Sequence, residues 1–128
     1  LFMRRTVENG IGEGAKAAGT TSWEPSPLIK GALSGTLIHL EGIDALGATV
    51  GILSRIVGER EAELWEGQRL VAGVPLSDEE KASGLLSQAH PAFRIIATAS
   101  KSSPPKEYLT EELSGMFLSL PTLAMSSE

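Results

Sequence analysis

The chain has 128 residues, 41% of them hydrophobic and 21% charged, with a formal net charge of −5. That length suits one domain burying roughly two thirds of its unfolded surface. Mild acidity without a basic cluster argues against nucleic acid as a direct partner. The absence of cysteine excludes disulfides and thiolate metal sites, and no apolar run approaches the roughly 18 residues of a membrane span. The chain opens at Leu1 in a polar stretch, with neither an initiating Met nor a signal or transit peptide. It is therefore expected to be a segment of something longer.

Residues 10–19, "GIGEGAKAAG", are too glycine-rich for a regular element and read as a solvated loop. Gly12, Gly14 and Ala17 match the spacing of a dinucleotide-binding fingerprint. That motif needs a buried strand before it, and "RRTVEN" is a poor one. In "PSPLIKGALSG" a helix is expected, capped by Ser26, opened by Pro27 and closed by Gly35. Leu28, Ile29, Ala32 and Leu33 form its packing face.

"TLIHLE" (36–41) is almost wholly apolar, as in a strand covered on both faces. An amphipathic helix from Asp44 to about Val57 follows, with Ala48, Ile52, Leu53, Ile56 and Val57 as its buried stripe. "AELWEGQRLV" (62–71) reads as a β-hairpin turning at Glu66-Gly67 and carrying Leu64 and Trp65. "LSDEEKASGLLSQA" opens with a capping box, Ser77 and Glu80. Its apolar residues Ala82, Leu85, Leu86 and Ala89 keep helical spacing despite Gly84. "FRIIATA" (93–99) is a second buried strand. After the loop "SKSSPPK" come a short helix capped by Thr110 and a possible third strand, "MFLSL".

This order predicts an α/β fold with a parallel sheet, whose ligands bind at the C-terminal strand ends. Those ends carry Glu41 and Ser100. Hydrolysis of a nucleoside triphosphate there needs a phosphate-cradling loop with its Lys, a magnesium-binding acid, a group that polarises water, and an arginine. The sequence contains no Gly-Lys pair, so the phosphate loop is absent. Glu41 is the candidate acid, and Gly42 stands where the polarising group would be. Arg55, Arg60 and Arg69 are the candidate arginines. A buried strand often ends in an acid that simply caps the next helix, and that reading stays open for Glu41. His39 and His90 read as a strand and a loop residue, not as metal ligands.

"SWEPSPLIKGALSGTLIHLEGIDAL" resembles the Walker B region of dynein-related and MoxR-like AAA+ ATPases. "ILSRIVGEREAELWEGQRLV" resembles the helix and pre-sensor hairpin that follow, and "HPAFRIIATAS" the sensor-one strand. Together with "LSDEEKASGLLSQA" and "YLTEELSGMFLSL", these segments are similar to the first AAA+ modules of the von Willebrand factor A domain-containing protein 8 family, large mitochondrial ATPases. The resemblance covers roughly residues 20–120 and leaves the first twenty poorly matched. It implies a partial AAA+ core from residue 21 to 128. ATP and magnesium would be bound by the parent protein, but not by this chain alone. Other AAA+ modules would be its partners, and its location mitochondrial.

The resemblance also implies roles. Glu41 takes the place of the magnesium-coordinating Walker B acid, and Gly42 that of the catalytic Glu. Ser100 holds the sensor-one position. Met116 stands where many AAA+ proteins place an arginine finger, while Arg55 and Arg60 remain possible arginine contacts. A degenerate, non-catalytic module serving ring structure or protein interaction is the alternative.

Overall fold

The computed structural model describes residues 2–8, 20–100 and 104–122. Strand β1 (Met3–Glu8) pairs antiparallel with β2 (Thr20–Pro25), Arg5 opposite Trp23. "RRTVE" is thus a strand after all, stabilised by cross-strand pairing that a single segment does not reveal. It enters a two-stranded ribbon with its partner, and Gly12, Gly14 and Ala17 lie outside the described residues.

Helix α1 (Pro27–Ser34) forms as its sequence predicts. Ser26 Oγ accepts the N–H of Ile29, Pro27 opens the first turn, and Gly35 closes the helix at φ 77°. Leu28, Ile29 and Ala32 are buried, whereas Leu33 faces outward. Strand β3 (Leu37–Leu40) follows and pairs in parallel with the distant β7 (Arg94–Ala97), Leu37 opposite Arg94. Both strands alternate exposed and half-buried residues, so they are covered on one face rather than two. Ile38, Leu40, Ile95 and Ala97 pack on the core, while Leu37 and Ile96 on the other face are 55% and 51% exposed.

The helix expected over 44–57 is broken. Residues Ile43–Ile52 form a 3-10 helix kinked at Gly47 (φ 55°, ψ −136°), and only α2 (Leu53–Gly58) is α-helical. Two glycines in "DALGATVG" weaken the α-helix there, and the non-helical backbone at Gly47 interrupts it. Ile52 is accordingly exposed, while Leu53 and Ile56 are buried.

The hairpin β4 (Ala62–Glu63) and β5 (Arg69–Val71) turns at Glu66-Gly67 as expected, both residues with positive φ. Helix α3 (Asp78–Ser83) has its capping box but stops at Gly84 (φ 68°) and buries nothing. The apolar residues beyond it belong instead to β6 (Leu86–Gln88), parallel to β5. A left-handed C-cap won over helical spacing. After β7 come α4 (Pro105–Tyr108) and α5 (Glu111–Met116), the latter capped by Thr110 Oγ1 at 3.2 Å from Leu113 N. "MFLSL" ends α5 and continues without strand pairing.

The core joins these pieces. Leu28, Ile29, Ala32, Leu53, Ile56, Leu70, Phe93 and Leu113 form one buried cluster that sets α1, α2 and α5 against the inner face of β3 and β7. Burying apolar side chains of this size contributes about 1.5–3 kcal/mol each. Among the described residues no helix is long and apolar enough to cross a membrane.

Candidate functional site

Because β3 and β7 run in parallel and in register, their C-terminal ends emerge together. The ladder continues past the strands: Thr98 donates its N–H to Leu40 O at 2.9 Å, and Ile43 returns one to Thr98 O at 2.9 Å. These two bonds hold the Glu41–Gly42 turn against the 98–100 segment. Glu41 is exposed on that turn. Gly42 has φ 68° and caps the 3-10 helix without a side chain.

Two further contacts bridge the strand ends, and the sequence alone suggested neither. Asp44 Oδ1 accepts the backbone N–H of Ser100 at 3.2 Å, so Asp44 ties the two loops together rather than capping its own helix. His39 Nε2 lies 2.9 Å from Thr98 Oγ1 on the exposed face. Residues that pair across 56 and 59 positions leave no local signal; only the strand register reveals them. Beside this end lies an open cleft of about 430 Å³, walled in part by Ile43, Thr98, Ser100, Tyr108 and Leu109.

Glu41, Asp44 and Ser100 are therefore brought to one end of the sheet. The candidate arginines are not. Arg55 is engaged by Glu59 at 3.5 Å and Glu61 at 2.9 Å. Arg60 Nη1 donates to Pro91 O at 3.0 Å, in the loop that precedes β7 and hence at the opposite strand end. Arg69 begins β5, in a different sheet. Met116 closes α5 and reaches over the Gly58 end of α2, near enough that a Cβ at Gly58 would meet its Cε at 2.8 Å.

His39 lies in β3, and His90 stands in the loop before β7. His90 Nδ1 accepts the N–H of Ala92 at 3.0 Å. Among the described residues no three His, Asp or Glu side chains gather as a metal site. Trp65, in the hairpin turn, is 45% exposed and stacks on Trp23 of β2, ring centroids 4.4 Å apart. It packs on the neighbouring ribbon.

The family model of the dynein-related AAA domain matches residues 1–118. The mouse von Willebrand factor A domain-containing protein 8 is 34% identical over 130 aligned residues, which take in 91% of this chain but 6% of that protein. The chain thus spans a small part of the curated relative it matches. No solved structure matches it.

Proposed function

Since the chain belongs to the dynein-related subfamily of AAA domains, we propose that it is the Walker B to sensor-one segment of an AAA+ module in a large ATPase with a von Willebrand A domain. Residues 21–128 make the C-terminal part of that module's core, and the glycine-rich residues 1–20 precede it. One observation carries this reading: β3 and β7 are parallel neighbours, so Glu41 and Ser100 leave the sheet at the same end. Open α/β sheets bind their ligands at that end.

AAA domains in general bind nucleotide and magnesium. Glu41 fits such an ion, because magnesium is typically held by one or two carboxylates together with phosphate oxygens and several waters. Glu41 offers an exposed carboxylate with no ion pair among the described residues. A bound magnesium would neutralise phosphate charge there. Asp44 fixes the spacing of the two loops through the Ser100 N–H, and Ser100 contributes a hydroxyl to the same end. The phosphate cradle and its Lys are not in this sequence, so the site is completed by residues outside it. Gly42 has no side chain to polarise the attacking water, which makes this module hydrolytically silent. ATP turnover by the parent comes from its other modules, and the mitochondrial location rests on the resemblance alone.

A non-catalytic role in a ring has its own support. AAA domains typically oligomerise, and the Trp23–Trp65 stack lies exposed on a hairpin. Both readings keep Glu41 and Gly42 in the same places. They differ in whether nucleotide is bound.

The test is magnesium-dependent nucleotide binding by the full-length protein that carries this segment. Glu41→Gln should weaken it roughly tenfold, the loss of one charge-assisted contact of about 1.4 kcal/mol, without changing the secondary structure. Unchanged affinity rules out Glu41 as the magnesium acid. Isothermal titration of the 128-residue chain alone should show no ATP binding, because backbone amides and the missing Lys supply most phosphate contacts. Micromolar binding there would overturn the assignment of the cradle to other residues.

A further inference from the structure

We propose that Arg60 and Arg94 form a binding site for a phosphate group, at the end of β7 opposite to Glu41 and Ser100. The two guanidinium groups converge on a single atom. Arg60 Nη1 lies 3.0 Å and Arg94 Nη1 2.8 Å from Pro91 O, so the two cationic nitrogens are within 5.8 Å of each other. Two like charges held this close repel each other and call for an anion. Among the described residues none is supplied: neither arginine forms an ion pair with an acid. Glu59 and Glu61, which flank Arg60 in sequence, are both turned onto Arg55.

The backbone reinforces the point. Arg60 follows α2 with φ 58°, in the left-handed region where glycine or asparagine usually ends a helix. An arginine there carries a conformational cost, and such outliers gather at ligand sites. The carbonyl of Pro91 orients both forks, and Phe93 O accepts a second bond from Arg94 Nη1 at 2.7 Å. Nε and Nη2 of each arginine remain as donors, the edge of a guanidinium that grips an oxyanion in two parallel hydrogen bonds.

Both arginines line a cleft of about 180 Å³, with Ile56, Phe93, Met116 and Phe117 among its walls. A water takes about 30 Å³ in the liquid, so a phosphate and several waters fit. Two adjacent guanidinium forks offer two charges and more donors than the two oxygens of one carboxylate can accept, which suits a phosphate dianion. The site stands apart from the proposed nucleotide end and does not depend on it.

The probe is inorganic phosphate, added to the 128-residue chain while the arginine Nε–H signals are followed by NMR. We expect saturable shifts confined to Arg60, Arg94 and the cleft, with a dissociation constant of about 1 mM. Acetate at matched ionic strength should reproduce little of this. Arg60→Gly suits the left-handed φ, so it should keep the spectrum of the fold and weaken phosphate binding about tenfold. Arg94→Lys, which keeps the charge and loses the fork, should fall between. Shifts that never saturate, that acetate matches, or that survive Arg60→Gly would each overturn the proposal. They would leave the two arginines as a staple between α2 and the 90–94 loop.

Discussion

The two faces of the β3–β7 pair both carry large aliphatic residues but have opposite surroundings. On the inner face Ile38, Leu40, Ile95 and Ala97 rest on a buried cluster; on the outer face Leu37 and Ile96 stand open beside His39 and Thr98. Hydrophobic residues in a strand therefore do not decide burial by themselves. The layer above them does, and here α1, α2 and α5 cover one side. The strands carry the near-continuous apolar pattern of a sheet with two covered faces. The outer face thus agrees with a segment that belongs to a larger module, as proposed above.

The largest contrast should come from truncating one residue on each side. Leu53→Ala removes a fully buried side chain from the centre of the cluster and should cost about 3 kcal/mol, the transfer term plus the cavity it leaves. Ile96→Ala on the open face should cost less than about 0.5 kcal/mol. Urea unfolding of the two variants measures the difference. Equal losses would mean that the outer face is covered in solution, and dilution would then show whether a second copy covers it.

The same contrast exists between two glycines. Gly35 and Gly42 both have left-handed φ, 77° and 68°. A Cβ at Gly35 would collide with the His90 ring, whereas one at Gly42 would meet nothing within 4 Å. Gly42→Ala should therefore cost about 1 kcal/mol, from backbone strain alone. Gly35→Ala should cost roughly 2–3 kcal/mol, because the ring must also move. Equal costs in thermal unfolding would show that the 90–94 loop yields freely. Gly42→Glu carries the same strain as Gly42→Ala, so placing an acid beside Glu41 is sterically open but not free.

How far the sequence carried the reading follows from where each signal lies. Helix α1, the Glu66-Gly67 turn and the caps at Ser77 and Thr110 rest on contacts four residues away or less, and all are legible. The parallel pairing behind the candidate site was legible as an architecture. Its bridges, Asp44 to Ser100 and His39 to Thr98, were not, because partners so far apart in sequence meet only through strand register. The helix over 44–57 and the extension of α3 failed for one reason. In both, helical apolar spacing continues across a glycine, Gly47 or Gly84, whose backbone is not helical. β1 failed for another, since a polar ribbon strand is defined by its partner.

The two aromatic rings on the hairpins offer a smaller test. Trp23 and Trp65 stack with an interplanar angle of 28° while remaining partly exposed, so their contact contributes about 1 kcal/mol beyond the area it covers. A double-mutant cycle with Trp23→Ala and Trp65→Ala should return that coupling. With Trp23 replaced, Trp65 should become readily quenched by acrylamide. Strong protection of Trp65 in that variant would place it against the body of the protein and remove the hairpin as an exposed surface.

The smallest effect expected is a dependence on pH from the Glu80 carboxylate of the capping box. The Glu80 carboxyl is held below its ordinary value, first by the Ser77 N–H that donates to Oε2 at 2.7 Å and then by the Ser77 hydroxyl. Its folded value is depressed, so the capping box stabilises the protein at pH values above the unfolded pKa of 4.5. That contribution is lost as pH falls through the lower, folded value. Because Glu80 is fully exposed and α3 buries nothing, the loss should be confined to that helix. Amide exchange of residues 78–83 should speed up between pH 5 and 3 relative to α1, after correction for the intrinsic rate, and Glu80→Gln should remove the difference. A matching acceleration in α1 would mean that acid loosens the whole core, and the capping box would not be its cause.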